Sequence, residues 1–157
     1  MDTTRRRALK TGGSVTLLTL LAAAGWLKPG EAAAEDWNRA AFETKSLDET
    51  MKALGGNAPA QSKDITFFST PDIAENGAVV PIGVTSSIPK TESIAILVEK
   101  NPNMLAATFD IPAGTDPAVS TRIKMGQSSN VYALVKADGK YYVASKEIKV
   151  TLGGCGG

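Results

Sequence analysis

The residues best equipped for chemistry stand together at the C-terminal end of the chain: Gly153-Gly154-Cys155-Gly156-Gly157. Cys155 is the chain's one cysteine. A thiolate is a strong nucleophile and forms sulfur–sulfur bonds, so this side chain can carry a covalent group. A cysteine meant for core packing would sit inside an apolar periodic segment able to bury it. Cys155 is bracketed by glycines instead. Glycine lacks a Cβ and populates most of φ/ψ space, so Gly153, Gly154, Gly156 and Gly157 predict a tail with almost no fixed structure. None of these neighbours would activate the thiol, so activation has to come from the protein that receives it. A lone cysteine in an oxidising compartment either pairs between chains or serves as a reactive thiol, and the motif by itself leaves both open.

The composition removes other chemistries. The chain contains no histidine. Histidine-based catalytic triads and histidine-ligated metal sites are therefore excluded. With one cysteine, an intramolecular disulfide and a thiolate-cluster metal site are excluded as well. Asp110, Asp116 and Glu99 read as ordinary loop or strand-end carboxylates, with no paired-carboxylate constellation. No cofactor site is visible.

The N-terminal region reads as an export signal over residues 1–34. Arg5 and Arg6 form a twin arginine, followed by Arg7, Leu9 and Lys10. A weakly polar run over 12–27 comes next, and then the small-residue site Ala32-Ala33-Ala34. This is the pattern of a cleaved signal for the twin-arginine route, with the mature chain expected to start near Glu35 in the periplasm. The run is short and polar for a membrane span, so no membrane attachment is expected after cleavage. The signal holds five cations against two anions, a net +3. The whole chain carries +1, which leaves −2 for the mature part. That balance excludes a nucleic-acid binder, which needs a basic footprint. Twin-arginine substrates cross the membrane folded, so the absence of a cofactor site points to a partner exported alongside.

The elements that must hold the tail follow from periodicity. Trp37 and Phe42 fall near one helical face. Ser46-Leu47-Asp48-Glu49 reads as a capping box opening a helix that carries Leu47, Met51 and Leu54 at i, i+4 and i+7 and stops at Gly55-Gly56. From Lys63 onward the period changes to two. Short strands are expected over 64–69 (Ile65 and Phe67 on one face), 78–85 (Val80, Ile82 and Val84, with Val79 opposite) and 93–98 (Ile94, Ile96, Val98). More follow over 104–110 (Leu105, Ala107 and Phe109 inward), 118–125, 130–136, 140–143 and 147–152. Pro81 predicts an edge or a bulge in its strand, and Asp138-Gly139 a tight hairpin turn. Asn76-Gly77 reads as a turn. Lys149 reads as a solvated strand lysine, with attraction of an anion on the tail as the lesser reading. Val79 and Tyr132 are candidates for an apolar dimer surface. About seven strands after a helical start give a mainly β fold, an immunoglobulin-like antiparallel sandwich over residues 35–152 with one or two short N-terminal helices. The last strand leads directly into Gly153, so the flexible arm over 153–157 starts at the rim of a rigid sheet.

Taken together, the twin-arginine signal, Ile73-Ala74-Glu75-Asn76-Gly77-Ala78-Val79-Val80-Pro81, Asn101-Pro102, Thr121-Arg122-Ile123-Lys124-Met125 and the terminal Gly-Gly-Cys-Gly-Gly resemble the SoxY family over essentially the whole mature chain. SoxY is the sulfur-carrier subunit of the periplasmic thiosulfate-oxidising system. The resemblance implies that Cys155 is the carrier cysteine, and that the protein is no enzyme itself but a protein-bound substrate without a cofactor. It also implies a heterodimer with SoxZ and transient visits to SoxAX, SoxB and SoxCD, which load thiosulfate, release sulfate and oxidise the remaining sulfane. A structural protein joined through a Cys155–Cys155 disulfide is the competing reading. A carrier that activates its terminal carboxylate, as ubiquitin-like proteins do, is disfavoured by the export signal.

Overall fold

A computed structural model describes residues 38–152, which fold around one large sheet. Two short helices come first, α1 (Arg39–Phe42) and α2 (Leu47–Ala53). The Asn38 side chain caps α1 by accepting from the Ala41 amide, and the Ser46 side chain caps α2 by accepting from the Glu49 amide. The expected capping box is only half formed: the Glu49 carboxylate accepts from the Lys45 amide at 2.9 Å, not from that of Ser46. At its other end α2 closes in a Schellman turn. Gly55 has φ +75°, and the Gly56 and Gly55 amides donate back to Met51 and Lys52.

Nine strands follow: β1 (Ala60–Gln61), β2 (Ile65–Phe68), β3 (Ile73–Ala74), β4 (Val80–Ser86), β5 (Thr91–Val98), β6 (Leu105–Asp110), β7 (Ala118–Ile123), β8 (Ser129–Ala137) and β9 (Lys140–Val150). The large sheet has the order β1-β9-β8-β5-β6, with β3 also on β9, and a smaller sheet has the order β2-β4-β7. The main pairings are antiparallel, as expected of the sandwich. Two-residue β1 and β3 instead lie parallel to the two ends of β9, and so cover the edge of that strand.

Ile82, Val84, Ile94, Ile96, Val98, Val131, Val135 and Ile148 fill the space between the sheets. Ile82, Val84, Ile94, Ile96 and Val98 among them are alternating residues that the period of two marks out. The other face of the large sheet is also covered. Ala95, Leu97, Leu134 and Val143 pack with Leu105, Met104 and Met51 beneath the helices. Strand β5 is thus buried on both faces, and the molecule has three layers, helices over sheet over sheet. Leu97 is fully buried, and its truncation to Ala should cost about 2–5 kcal/mol.

Three strand expectations are corrected. Residues 140–143 and 147–152 are not separate strands, because β9 pairs with β8 without a break from Lys140 to Ile148. The polar stretch Ser145-Lys146-Glu147 hides this continuity: Ser145 and Glu147 are exposed on one face of the strand, and Lys146, on the other, is half-buried and bonded to Thr70 and Asp72. Leu105, Ala107 and Phe109 do not share a face. A bulge shifts the register between Ile96 and Leu97, so Leu105 turns to the helices while Phe109 packs between the sheets. Pro81 lies in the central strand of the small sheet and not on an edge strand. It faces Arg122 on β7, but β2 pairs only as far as Gly83, so no strand needs the missing donor on the other side.

Candidate functional site

The main chain reaches the C-terminal tail through β9, and the geometry there is set by the end of that strand. Val150 is the last strand residue. Its amide donates to Ser128 Oγ at 2.9 Å, and on its other side it is in register with Ala74 of β3. Thr151 and Leu152 lie beyond the strand but are still held. The Thr151 amide donates to the Ala74 carbonyl at 3.1 Å, and Thr151 Oγ1 donates to the Glu75 carbonyl at 3.0 Å. The Leu152 carbonyl accepts from the Gly77 amide at 2.7 Å. The Gly77 carbonyl accepts in turn from the amide of Met125, a fully buried residue, at 2.7 Å. Asn76 makes the turn that its pairing with Gly77 predicts: its Oδ1 accepts from the Ala78 amide at 2.8 Å.

Apolar side chains surround this point. Ile73 is 58% exposed, Val79 54% and Leu152 63%. Lys149, in register with Ile73, is exposed and has no ion-pair partner among the described residues. The segment that enters β3 is fastened by Lys146, whose Nζ donates to the Thr70 carbonyl at 2.6 Å and pairs with Asp72 at 3.0 Å.

Cys155 and its glycines Gly153, Gly154, Gly156 and Gly157 lie outside the described residues, as do Arg5, Arg6 and Trp37. The structure therefore supplies the base of the tail, up to Leu152. Val79 and Tyr132 do not form one surface. Val79 precedes β4 in the small sheet, whereas Tyr132 is half-buried on the helix side of the large one. Burial raises the Tyr132 phenol above its usual value, and the Glu99 charge adds to that. Among the described residues no group of three acidic, cysteine or histidine side chains is placed to hold a metal ion. A cleft of about 610 Å³, lined by Ile88, Pro89, Ile111, Pro112 and Pro117, opens near Ser86, at the opposite end of β4 from the tail. Sequence reasoning missed the clamp formed by residues 74–77. Asn76-Gly77 signalled the turn, but nothing local in the sequence told which distant chain the Gly77 amide would meet.

Residues 50–155 match the family model described as sulfur oxidation protein SoxY. Among solved structures, the chain is similar to the sulfur carrier protein SoxY from Chlorobium limicola f. thiosulfatophilum. The identity is 39% and the TM-score 0.61, with 68% of this chain and 96% of that one covered. An engineered protein matches at 13% identity and TM-score 0.41, over 56% of this chain and 20% of that one. A chain from a structure of the bacterial superantigen toxic shock syndrome toxin-1 matches at 14% and 0.39, over 55% and 97%. Likeness at the level of these last two carries no argument. A search of curated proteins returned no match.

Proposed function

The chain belongs to the SoxY family, and on that premise we propose that it is a covalent sulfur carrier. Its working group is the Cys155 thiol, on an arm made of residues 153–157. The observation that carries the reading is the path of the main chain. A rigid three-layer body ends in a strand whose last residues are pinned, and the chain's one thiol follows three residues beyond Leu152. Three residues span about 10 Å when extended, enough to enter a narrow cleft while the body stays outside. The protein acts as a substrate of its partner enzymes and holds no cofactor of its own.

The chemistry suits a thiolate. Cys155 and thiosulfate together give up two electrons to a haem oxidant, and a sulfur–sulfur bond forms between them. Water then attacks the terminal sulfone in a hydrolase, sulfate leaves, and the inner sulfur stays on the cysteine as a persulfide anion. A dehydrogenase, where one is present, oxidises that sulfur further. These steps match the roles of SoxAX, SoxB and SoxCD, with SoxZ as the standing partner and the periplasm, reached by the twin-arginine route, as the compartment. Glycine neighbours keep the backbone slim where the anionic adduct must pass.

Intact-mass analysis of protein isolated during growth on thiosulfate tests the reading. Sulfur or thiosulfate additions on the Cys155 side chain are expected, and none in Cys155→Ser. If Cys155→Ser abolishes dimers yet thiosulfate consumption continues, the cysteine is a structural cross-link and the carrier reading is wrong.

A further inference from the structure

We propose that residues 74–77 are a positioning clamp that fixes where the arm begins, moving its pivot from the end of β9 to Leu152. This rests on the reading of Cys155 as the carrier thiol. The ladder between β8 and β9 stops at Ile148, and the pairing of β3 with β9 stops at Val150. Thr151 and Leu152 are exposed, with the Leu152 side chain at 63%. Burial therefore contributes little to holding them, and that task falls to three hydrogen bonds: Thr151 N to Ala74 O, Thr151 Oγ1 to Glu75 O and Gly77 N to Leu152 O. The clamp is itself tied to the core through Gly77 O and the amide of buried Met125.

The geometric consequence is a shorter leash. From Leu152 the thiol is three residues away, a reach of about 10 Å; from Val150 it would be five residues and about 17 Å. A longer leash spreads the thiol over more space. Its local concentration at the pocket of a docked enzyme then falls roughly two- to fivefold, judged from leash length and swept volume. Thr151 and Gly77 are thus positioning residues, remote from the reacting sulfur, and their effect lies in presentation.

The test uses the single cysteine of the intact protein. A nitroxide attached to Cys155 reports its own motion by electron paramagnetic resonance, and reports its range by the zone of backbone amide signals that it broadens. Thr151→Val removes the hydroxyl donor, Thr151→Ser retains it, and Gly77→Pro removes the amide donor. In Thr151→Val and Gly77→Pro we expect faster label motion, a broadened zone reaching further from Leu152, an unchanged melting profile, and a two- to fivefold higher KM for sulfur loading with kcat retained. Thr151→Ser should behave as wild type. Thr151→Val demands no new backbone angle, so it carries the test alone if Gly77→Pro fails to fold. The proposal is overturned if the Gly77 amide exchanges faster in Thr151→Val, showing an open clamp, while label motion and range stay at wild-type values. The label readout involves no sulfur chemistry. Failure of wild-type protein to take up sulfur would therefore remove the carrier reading without bearing on the clamp.

Discussion

The two ends of β9 are held in place by different physics. At its start, the hairpin to β8 turns through Asp138 and Gly139, with φ values of 49° and 71°. That end is laced by charged groups: Lys90 pairs with Asp138 at 2.9 Å, Lys136 pairs with Glu92 at 3.0 Å, and the Gly139 amide donates to Glu92. At the other end, Thr151 and Leu152 are held by uncharged hydrogen bonds to residues 74–77. Exposed ion pairs weaken with salt and with titration of their members. Hydrogen bonds between uncharged groups have no member that titrates. The proposed arm, which has to start from the same place in every encounter, would gain from having the second kind of fastening at its base.

The largest effect that separates the two ends is chemical. Cys155→Ser should abolish covalent sulfur loading completely, read by intact mass, and leave the denaturation midpoint unchanged, since the residue lies beyond the last packed strand. Retained loading would end the carrier reading. At the hairpin the opposite outcome is expected. Gly139→Val places a β-branched residue at φ 71°, a left-handed conformation that costs about 1–2 kcal/mol for a side chain with a Cβ. Equilibrium denaturation should show that loss, while loading per folded molecule stays at the wild-type level. A fall in loading would mean that the two ends are coupled.

This contrast was only half legible in the sequence. The inward faces of β2, β4 and β5 followed from alternation at Ile65, Val80, Ile82, Val84, Ile94 and Ile96, because a period of two maps directly onto the faces of a strand. The Asp138-Gly139 turn is equally local. The third layer was not legible. Ala95 and Leu97 sit at outward positions of an ordinary half-exposed strand, and only the docking of α2 across the sheet buries them. The bulge beside Leu97 erased the alternation of Leu105 and Phe109 for a similar reason, since register is a property of two strands and not of one. The clamp is the least legible of all. Its hydrogen bonds join residues 74–77 to residues some 75 positions later, two of them through backbone groups that every sequence carries alike and the third through the Thr151 hydroxyl, which nothing local in the sequence directs to Glu75. For the candidate site, the thiol and its glycines were plain from residue type, whereas the base from which they extend was a matter of topology.

A smaller effect tests whether charge matters at the tail end after all. Lys146 is the charged fastening nearest the clamp, bound to the Thr70 carbonyl and to Asp72. Lys146→Met keeps the stem and removes the donor, which should cost about 1–2 kcal/mol. If the clamp is autonomous, the amides of Gly77 and Thr151 keep their exchange protection in this variant and the loading KM is unchanged. Loss of protection at those two amides would make the clamp dependent on the crossing segment.

The smallest effect is the response to acid, and only the hairpin end should show it. The hydrogen bond from Lys136, and then that from the Gly139 amide, hold the Glu92 carboxyl below its ordinary value. The hydrogen bond and charge of Lys90 do the same for Asp138. A carboxyl depressed in the folded state adds stability that is fully present above its unfolded value, near 4, and that fades as the pH falls through the folded one. The partners Lys90 and Lys136 are raised by the same bonds, so their contribution is complete below about 10.4 and is lost only above it. The window to examine is therefore below pH 4. Amide protection factors at residues 137–140 should drop there, while those of Gly77 and Thr151, whose bonds involve no titrating group, should hold. High salt at neutral pH should reproduce the same asymmetry more weakly, by screening the pairs without neutralising them. Parallel loss of protection at both ends would mean that β9 frays as one unit, and the separate fastening of the arm's base would then have no basis.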